Sequence, residues 1–201
     1  MTDSDDGTLA FYDANAADYA AYAAEKEDLA HFERFVEALP KGGAVCDLGS
    51  GSGFYAARLR DAGFEITAID GSAGLATEAK RRYDIDVQVM RFEDFDFENV
   101  FDGVWAAWSL HHAPRAAFPD LLHRVGKAVR PGGVLFIAMK GGTGEARDTL
   151  DRLYAYHSMD ELQQLVTDRI GGDFLIAETR DGKGFDGTPS PMHSLIVRKV
   201  V

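Results

Sequence analysis

The sequence predicts an α/β protein with a mainly parallel sheet covered by helices on both faces. Three observations carry this. Short apolar runs alternate with helix-like stretches along most of the chain. The first run ends directly in a cluster of glycines, and turn residues such as Pro131-Gly132-Gly133 mark later boundaries. Short apolar strands that alternate with helices belong in a parallel sheet buried on both sides.

The elements follow in order. Residues 1–7 are acidic and polar and are expected to fray. Residues 9–39 contain no Pro or Gly, and Phe32, Phe35, Val36 and Leu39 recur at helical spacing, so one or two helices are expected. Pro40-Lys41-Gly42-Gly43 ends them. Strands are expected at 44–48, 65–69, 86–90, 101–106 and 134–139, with helices at 55–62, 74–83 and 118–129 between them. A polar stretch at 141–148 leads to helical turns around 159–170, and two last strands are expected at 174–179 and 194–200. Between these strands, residues 180–193 carry three glycines and two prolines and read as a long loop, often a functional feature. A chain of 201 residues fits a single domain without a disulfide or metal staple.

Composition narrows the function. Asp and Glu outnumber Lys and Arg by 33 to 21, for a net charge of −12. That balance argues against nucleic-acid and anionic-membrane partners, which need basic surface. The one cysteine, Cys46, lies inside the first strand and reads as a small buried hydrophobe. His31, His123 and His157 have no metal-ligand spacing, so no metal is expected. The start has no signal-peptide pattern and no apolar run approaches bilayer length, so the default location is the cytoplasm.

The sharpest signal is Asp47-Leu48-Gly49-Ser50-Gly51-Ser52-Gly53-Phe54, a strand running into a glycine-rich turn and a helix. Glycines let backbone approach a ligand, and the helix start offers free N–H groups. Asp70 follows 21 residues after Gly49, where a carboxylate can accept from both hydroxyls of a ribose. Two readings stay open on spacing alone. The dinucleotide pattern fails from Gly49 but is met by Gly51-x-Gly53-x-x-Ala56, with Asp70 19 residues after Gly51, so a nicotinamide-binding oxidoreductase is one possibility.

The wider context resembles the class I S-adenosylmethionine-dependent methyltransferases. Asp47 to Gly53 resembles that family's motif I. Tyr12-Asp13-Ala14-Asn15-Ala16 with Tyr19 looks like its N-terminal helix, Ala68-Ile69-Asp70-Gly71-Ser72 like its ribose-binding strand end, and Arg91-Phe92-Glu93-Asp94 like its adenine segment. Phe101 to Ala106 with Ser109-Leu110-His111-His112-Ala113-Pro114-Arg115 looks like motif IV and its loop, and Val129 to Leu135 like the turn before strand five.

The resemblance implies a three-layer Rossmann-like sandwich, with a seven-stranded, mostly parallel sheet in order 3-2-1-4-5-7-6 and the last strand antiparallel. It implies one domain over 1–201: a helical lid (1–40), a cofactor-binding half (44–140), and a substrate-side segment with the C-terminal strand pair (141–201). The implied function is transfer of the methyl group of S-adenosylmethionine to a small-molecule acceptor; a non-catalytic cofactor-binding module or partner subunit is the alternative. Asp47, Gly49, Ser50, Gly51 and Gly53 would border the methionine portion, and Asp70 the ribose. Gly71, Ser72, Phe92 and Glu93 would meet the adenine, although Arg91 stands where the family often has Asp. Trp108, Ser109 and Leu110 would border the methionine end.

His111 and His112 are the candidate general bases, since a neutral imidazole can take a proton near pH 7. Tyr12, Tyr19, Arg147, Tyr156 and Phe185 are the candidate acceptor contacts. Trp105-Ala106-Ala107-Trp108 replaces the Asn/Asp-Pro-Pro-Tyr found in many enzymes that methylate DNA bases or glutamine, which argues further against nucleic-acid substrates.

Overall fold

The structure is a computed structural model that describes residues 4–23 and 29–200. Helices α1 (Asp6–Ala14), α2 (Ala16–Ala23) and α3 (Leu29–Glu37) come first. Then β1 (Ala44–Leu48), α4 (Phe54–Asp61), β2 (Glu65–Asp70), α5 (Ala73–Tyr83) and β3 (Val87–Val89) alternate. They are followed by β4 (Phe101–Ala107), α6 (Phe118–Ala128), β5 (Val129–Lys140), β6 (Gly144–Arg147), β7 (Leu153–Tyr156), α7 (Met159–Arg169), β8 (Asp173–Lys183) and β9 (Pro189–Arg198). The main sheet has seven strands in the order β3-β2-β1-β4-β5-β9-β8. Strands β1 to β5 pair in parallel, and β9 runs antiparallel to both neighbours. Counting only main-sheet strands, this is the expected 3-2-1-4-5-7-6.

Period-two alternation within the apolar strands builds two cores. Cys46, Leu48, Val104, Ala106, Leu135, Ile137 and Met139 face α6 and α7 through Leu121, Leu122, Val125, Leu162 and Val166. Val45, Trp105, Val134, Phe136 and Ala138 face the other way, against Phe32 and Phe35 of α3 and Leu59 of α4. The Trp105 and Phe136 rings stack at 3.8 Å between centroids. Removing such a buried aromatic costs about 3–5 kcal/mol.

Five expectations need correction. The N-terminal region holds three helices rather than one or two, and the first begins at Asp6 rather than beyond a frayed start. Asp5 caps it, accepting from the Thr8 N–H at 2.8 Å. Asn15 breaks the run between α1 and α2: its backbone N–H and side-chain amide both donate to the Phe11 carbonyl. Residues 1–3 and 24–28 of the expected segments lie outside the described residues.

The expected loop 180–193 is mostly a β-hairpin, with β8 and β9 paired out to Lys183↔Pro189 and only 184–188 connecting them. Its prolines are tolerated because β5 stops pairing at Met192, so Pro189 and Pro191 lie beyond the central position of β9. The stretch 141–148 contains β6, which pairs with β7 in a separate ribbon. Strand β5 starts at Val129, since Val129 already pairs with Phe101 before the Pro131-Gly132-Gly133 segment.

Candidate functional site

The carboxyl ends of β1, β2, β4 and β5 meet beneath α1, α2 and the tip of the β8–β9 hairpin. Two adjoining cavities lie there. The larger, about 600 Å³, is lined by Asp47, the Gly49–Ser52 backbone, Trp108, His111, Lys140, Arg152 and Tyr154. The smaller, about 80 Å³, is lined by Asp70, Gly71, Met90 and Phe92, with Thr8 and Leu9 of α1 above. Tyr12, Tyr19, Gly49 and Trp108 border both.

The glycine loop is held from below. The N–H groups of Gly49 and Ser50 both donate to the Ile69 carbonyl, at 2.8 and 2.9 Å. Asp70 accepts from the Gly51 N–H at one carboxylate oxygen and from the Ser72 N–H at the other, each at 2.8 Å. Gly49 has φ +75°. A Cβ on it would stand 2.1 Å from Ser109 Cβ, so β1 and the loop after β4 approach closely only with glycine there.

Asp47 is the most telling titratable group. It is 2% exposed, faces the larger cavity, and its Oδ2 has no hydrogen-bond partner. Burial, reinforced by the Asp70 carboxylate, pushes its pKa up to about 8. Burial also raises Asp70, against the two backbone N–H groups that favour its charge. A cationic group docking beside Asp47 reverses its shift; an anionic one aggravates it.

Trp108 has φ +60°, a strained region for a bulky residue, and its N–H donates to the Ala138 carbonyl at 2.8 Å. That geometry sets the indole between the two cavities. Ser109 turns its hydroxyl down onto the Leu48 carbonyl at 2.7 Å. Leu110 is wholly buried among the aliphatic side chains beneath the sheet and borders neither cavity. Ser72 is also wholly buried; it caps α5 and donates to Asp13 at 2.6 Å. Glu93 borders neither cavity and pairs at 3.7 Å with Arg91, while Phe92 lines the smaller one. Gly53, at φ +80°, is the N-cap of α4.

The two histidines have defined partners. His111 Nδ1 accepts from the Lys140 backbone N–H at 3.1 Å, which puts the imidazole proton on Nε2. The His112 Nδ1–H donates to the Leu153 carbonyl at 2.7 Å, and its Nε2 accepts from the Tyr12 hydroxyl at 2.9 Å. Burial drives His111 well below the ordinary range and His112 to about 4. Both rings are neutral with their lone pairs committed, so a base role for His112 requires Tyr12 to withdraw.

Of the residues expected at the acceptor, Tyr12, Tyr19 and Phe185 line the larger cavity. Arg147 and Tyr156 do not. Arg147 is on the surface, bonded to Asp5 and to the Asp151 carbonyl. Tyr156 packs on Gly142 and on the Tyr154 ring, 5.9 Å away. Arg152, Tyr154 and Lys140 stand at the cavity instead, and the sequence reading missed all three. Nothing in the ribbon's sequence separates Arg147 from Arg152. Lys140 did leave a signal: it ends the longest apolar strand, and in such sheets ligands lie beyond the carboxyl ends of strands. Among the described residues, no group of three or more His, Cys, Asp or Glu side chains is arranged to hold a metal ion. No helix among them is long and apolar enough to cross a membrane.

Comparison with known proteins agrees with this geometry. Residues 45–133 match the family model described as "Methyltransferase domain". An uncharacterized methyltransferase of Staphylococcus carnosus is 27% identical over 126 residues, which are 63% of this chain and 60% of that protein. The chain thus spans less than two thirds of this curated relative. The structure of the DhpI–SAH complex superimposes with TM-score 0.65 at 25% identity, over 96% of both chains. That of Burkholderia thailandensis 1,6-didemethyltoxoflavin-N1-methyltransferase, with its substrate and S-adenosylhomocysteine bound, gives TM-score 0.64 at 20% identity, over 92% of this chain and 87% of that one. Residues 45–133 thus match a methyltransferase domain, and the chain has the fold of S-adenosylmethionine-dependent methyltransferases of known structure.

Proposed function

We propose that this protein transfers the methyl group of S-adenosylmethionine to a small-molecule acceptor. The observation that carries the proposal is the buried Asp47 carboxyl, with its Oδ2 unpartnered, beside a glycine loop tied down by Asp70. A buried carboxylate in that place suits the ammonium of the cofactor's methionine portion. It repels a pyrophosphate, which counts against the nicotinamide reading.

The residues present fit the cofactor. Asp47 and the Gly49–Gly51 backbone would hold the methionine portion, and Asp70, with a lone pair left on each oxygen, the ribose. Phe92 and Gly71 would border the base, under Leu9 of α1. When bound, the cofactor supplies a methyl group on a positively charged sulfur, already activated for displacement.

The chain's own contribution is then alignment and exclusion of water. Positioning of this kind supplies on the order of 7–11 kcal/mol. Trp108, Tyr12 and Tyr19, at the junction of the two cavities, would orient the reacting groups. His111 and His112, neutral in this arrangement, would position rather than take protons. In this reading α1 and α2 form a lid while α3 covers one face of the sheet, residues 44–140 hold the cofactor, and the segment after residue 140 shapes the acceptor side. A chamber of about 600 Å³ is of the size that encloses a small organic molecule. The lone buried Cys46 is unpaired, in keeping with a cytoplasmic location.

The test is calorimetric titration with S-adenosylhomocysteine, and with NADH in parallel. Saturable binding of the first alone is the expected result. Binding of NADH alone, or of neither, overturns the proposal.

A further inference from the structure

The wall of the chamber facing the glycine loop carries charge that cofactor binding does not use. Lys140, at the end of β5, is 5% exposed and lines the chamber. Its ammonium has one carboxylate neighbour, Asp186 Oδ1 at 3.5 Å, long for a charge-assisted bond, and rests 4.1 Å above the Tyr154 ring centroid. Arg152 stands beside it, 1% exposed, with its guanidinium over the same ring at 5.4 Å. Its Nε and Nη2 bind Asp148, at 3.0 and 2.6 Å, and Nη1 donates to the Tyr12 hydroxyl at 3.0 Å.

The arrangement is polarised. Lys140 and Arg152 line the chamber, whereas their carboxylates, Asp186 and Asp148, do not. The hairpin tip closes over the lysine so tightly that a Cβ on Gly184 would lie 2.5 Å from Nζ. Two cations therefore face the cavity with their counter-charges set behind the wall. An ammonium has three donors, and the single long Asp186 contact leaves donors for a ligand. The rings of Tyr19, Tyr154 and Phe185 supply an apolar surround.

Building on the methyltransferase reading, we infer that the acceptor is a small organic anion whose carboxylate or phosphate docks on Lys140, with its body among Tyr19, Tyr154 and Phe185. A cationic acceptor would set a further positive charge against Lys140 and Arg152. A neutral one would leave the ammonium buried without a full partner.

The test uses the protein saturated with S-adenosylhomocysteine and four probes of similar size, titrated by NMR: benzoate, phenyl phosphate, benzamide and benzylamine. Benzoate or phenyl phosphate is expected to bind at least about tenfold more tightly than benzamide, as a charge-assisted bond to a buried ammonium predicts. The tighter of the two anions identifies the group recognised. Lys140→Met is expected to abolish that preference while leaving affinity for S-adenosylhomocysteine within about twofold, and Lys140→Arg to restore most of it. Equal or tighter binding of benzamide or benzylamine overturns the inference, as does a Lys140→Met protein that still prefers anions. If S-adenosylhomocysteine binds and the probes show no preference, only this inference falls. If it does not bind the wild-type protein, the methyltransferase reading falls with it.

Discussion

The Tyr12 hydroxyl donates to His112 Nε2 at 2.9 Å, joining the first helix to the turn after β4 across a sequence separation of 100 residues. The same oxygen accepts from Arg152, so the three side chains form one buried chain ending on Asp148. This chain fixes how α1 sits over the smaller cavity, while burial, helped by the Arg152 charge, keeps His112 neutral.

Acid should destabilise the fold through His112. Its pKa is about 4 when folded, against about 6.5 for an unperturbed histidine. Between those values the unfolded chain binds the extra proton, so stability is complete above pH 6.5 and falls as pH drops towards 4. The loss is about 3 kcal/mol. Urea denaturation from pH 7.5 to 4 checks this. In Tyr12→Phe, His112 Nε2 loses its donor, and the neutral protein should be weaker by about 1–2 kcal/mol at pH 7.5.

Cofactor binding should take a proton off Asp47. The carboxyl titrates near 8 in the free protein, and a neighbouring ammonium favours its ionised form. Affinity for S-adenosylhomocysteine should therefore rise with pH up to about 8, by at most about tenfold per unit. Calorimetry in buffers of different ionisation enthalpy should show proton release. Asp47→Asn should flatten the profile; an unaltered profile would remove Asp47 from the site.

Gly49→Ala should destabilise by about 2 kcal/mol or more, through overpacking and strain. The new methyl meets Ser109 Cβ. Ser109→Gly in the same chain removes that clash but leaves the φ of +75°, worth about 1 kcal/mol. A double-mutant cycle measured by chemical denaturation separates the two parts.

The two arginines of the ribbon should behave differently. Arg147 is on the surface, and Arg147→Ala should leave the denaturation midpoint within experimental error. Arg152→Ala strands the buried Asp148 carboxylate, 3% exposed, and should cost about 3 kcal/mol or more. Equal midpoints would contradict the buried chain.

The sequence alone determined the sheet. Apolar runs such as Val134 to Met139, and the glycine cluster after Leu48, are local patterns, and each dictates its element with little help from the rest of the chain. The order of the main-sheet strands and the antiparallel last strand were legible through the resemblance those patterns carried. The glycine turn after Asp47 was legible too, because strand, turn and helix adjoin there in the chain, whereas the bond from the Gly51 N–H to Asp70, 19 residues away, was not.

Tertiary structure decided what lies across the chain. Arg152 rather than Arg147 reaches the cavity because β6 and β7 pair in one register, which sends one arginine to Tyr12 and the other to Asp5. Turn residues concealed the hairpin at 180–193, because prolines past the end of β5 break no ladder that β5 shares. His111 and His112 looked like bases because their type allows it. Their partners, the Lys140 N–H and the Tyr12 hydroxyl, come from distant segments, and a committed lone pair leaves no trace in local sequence.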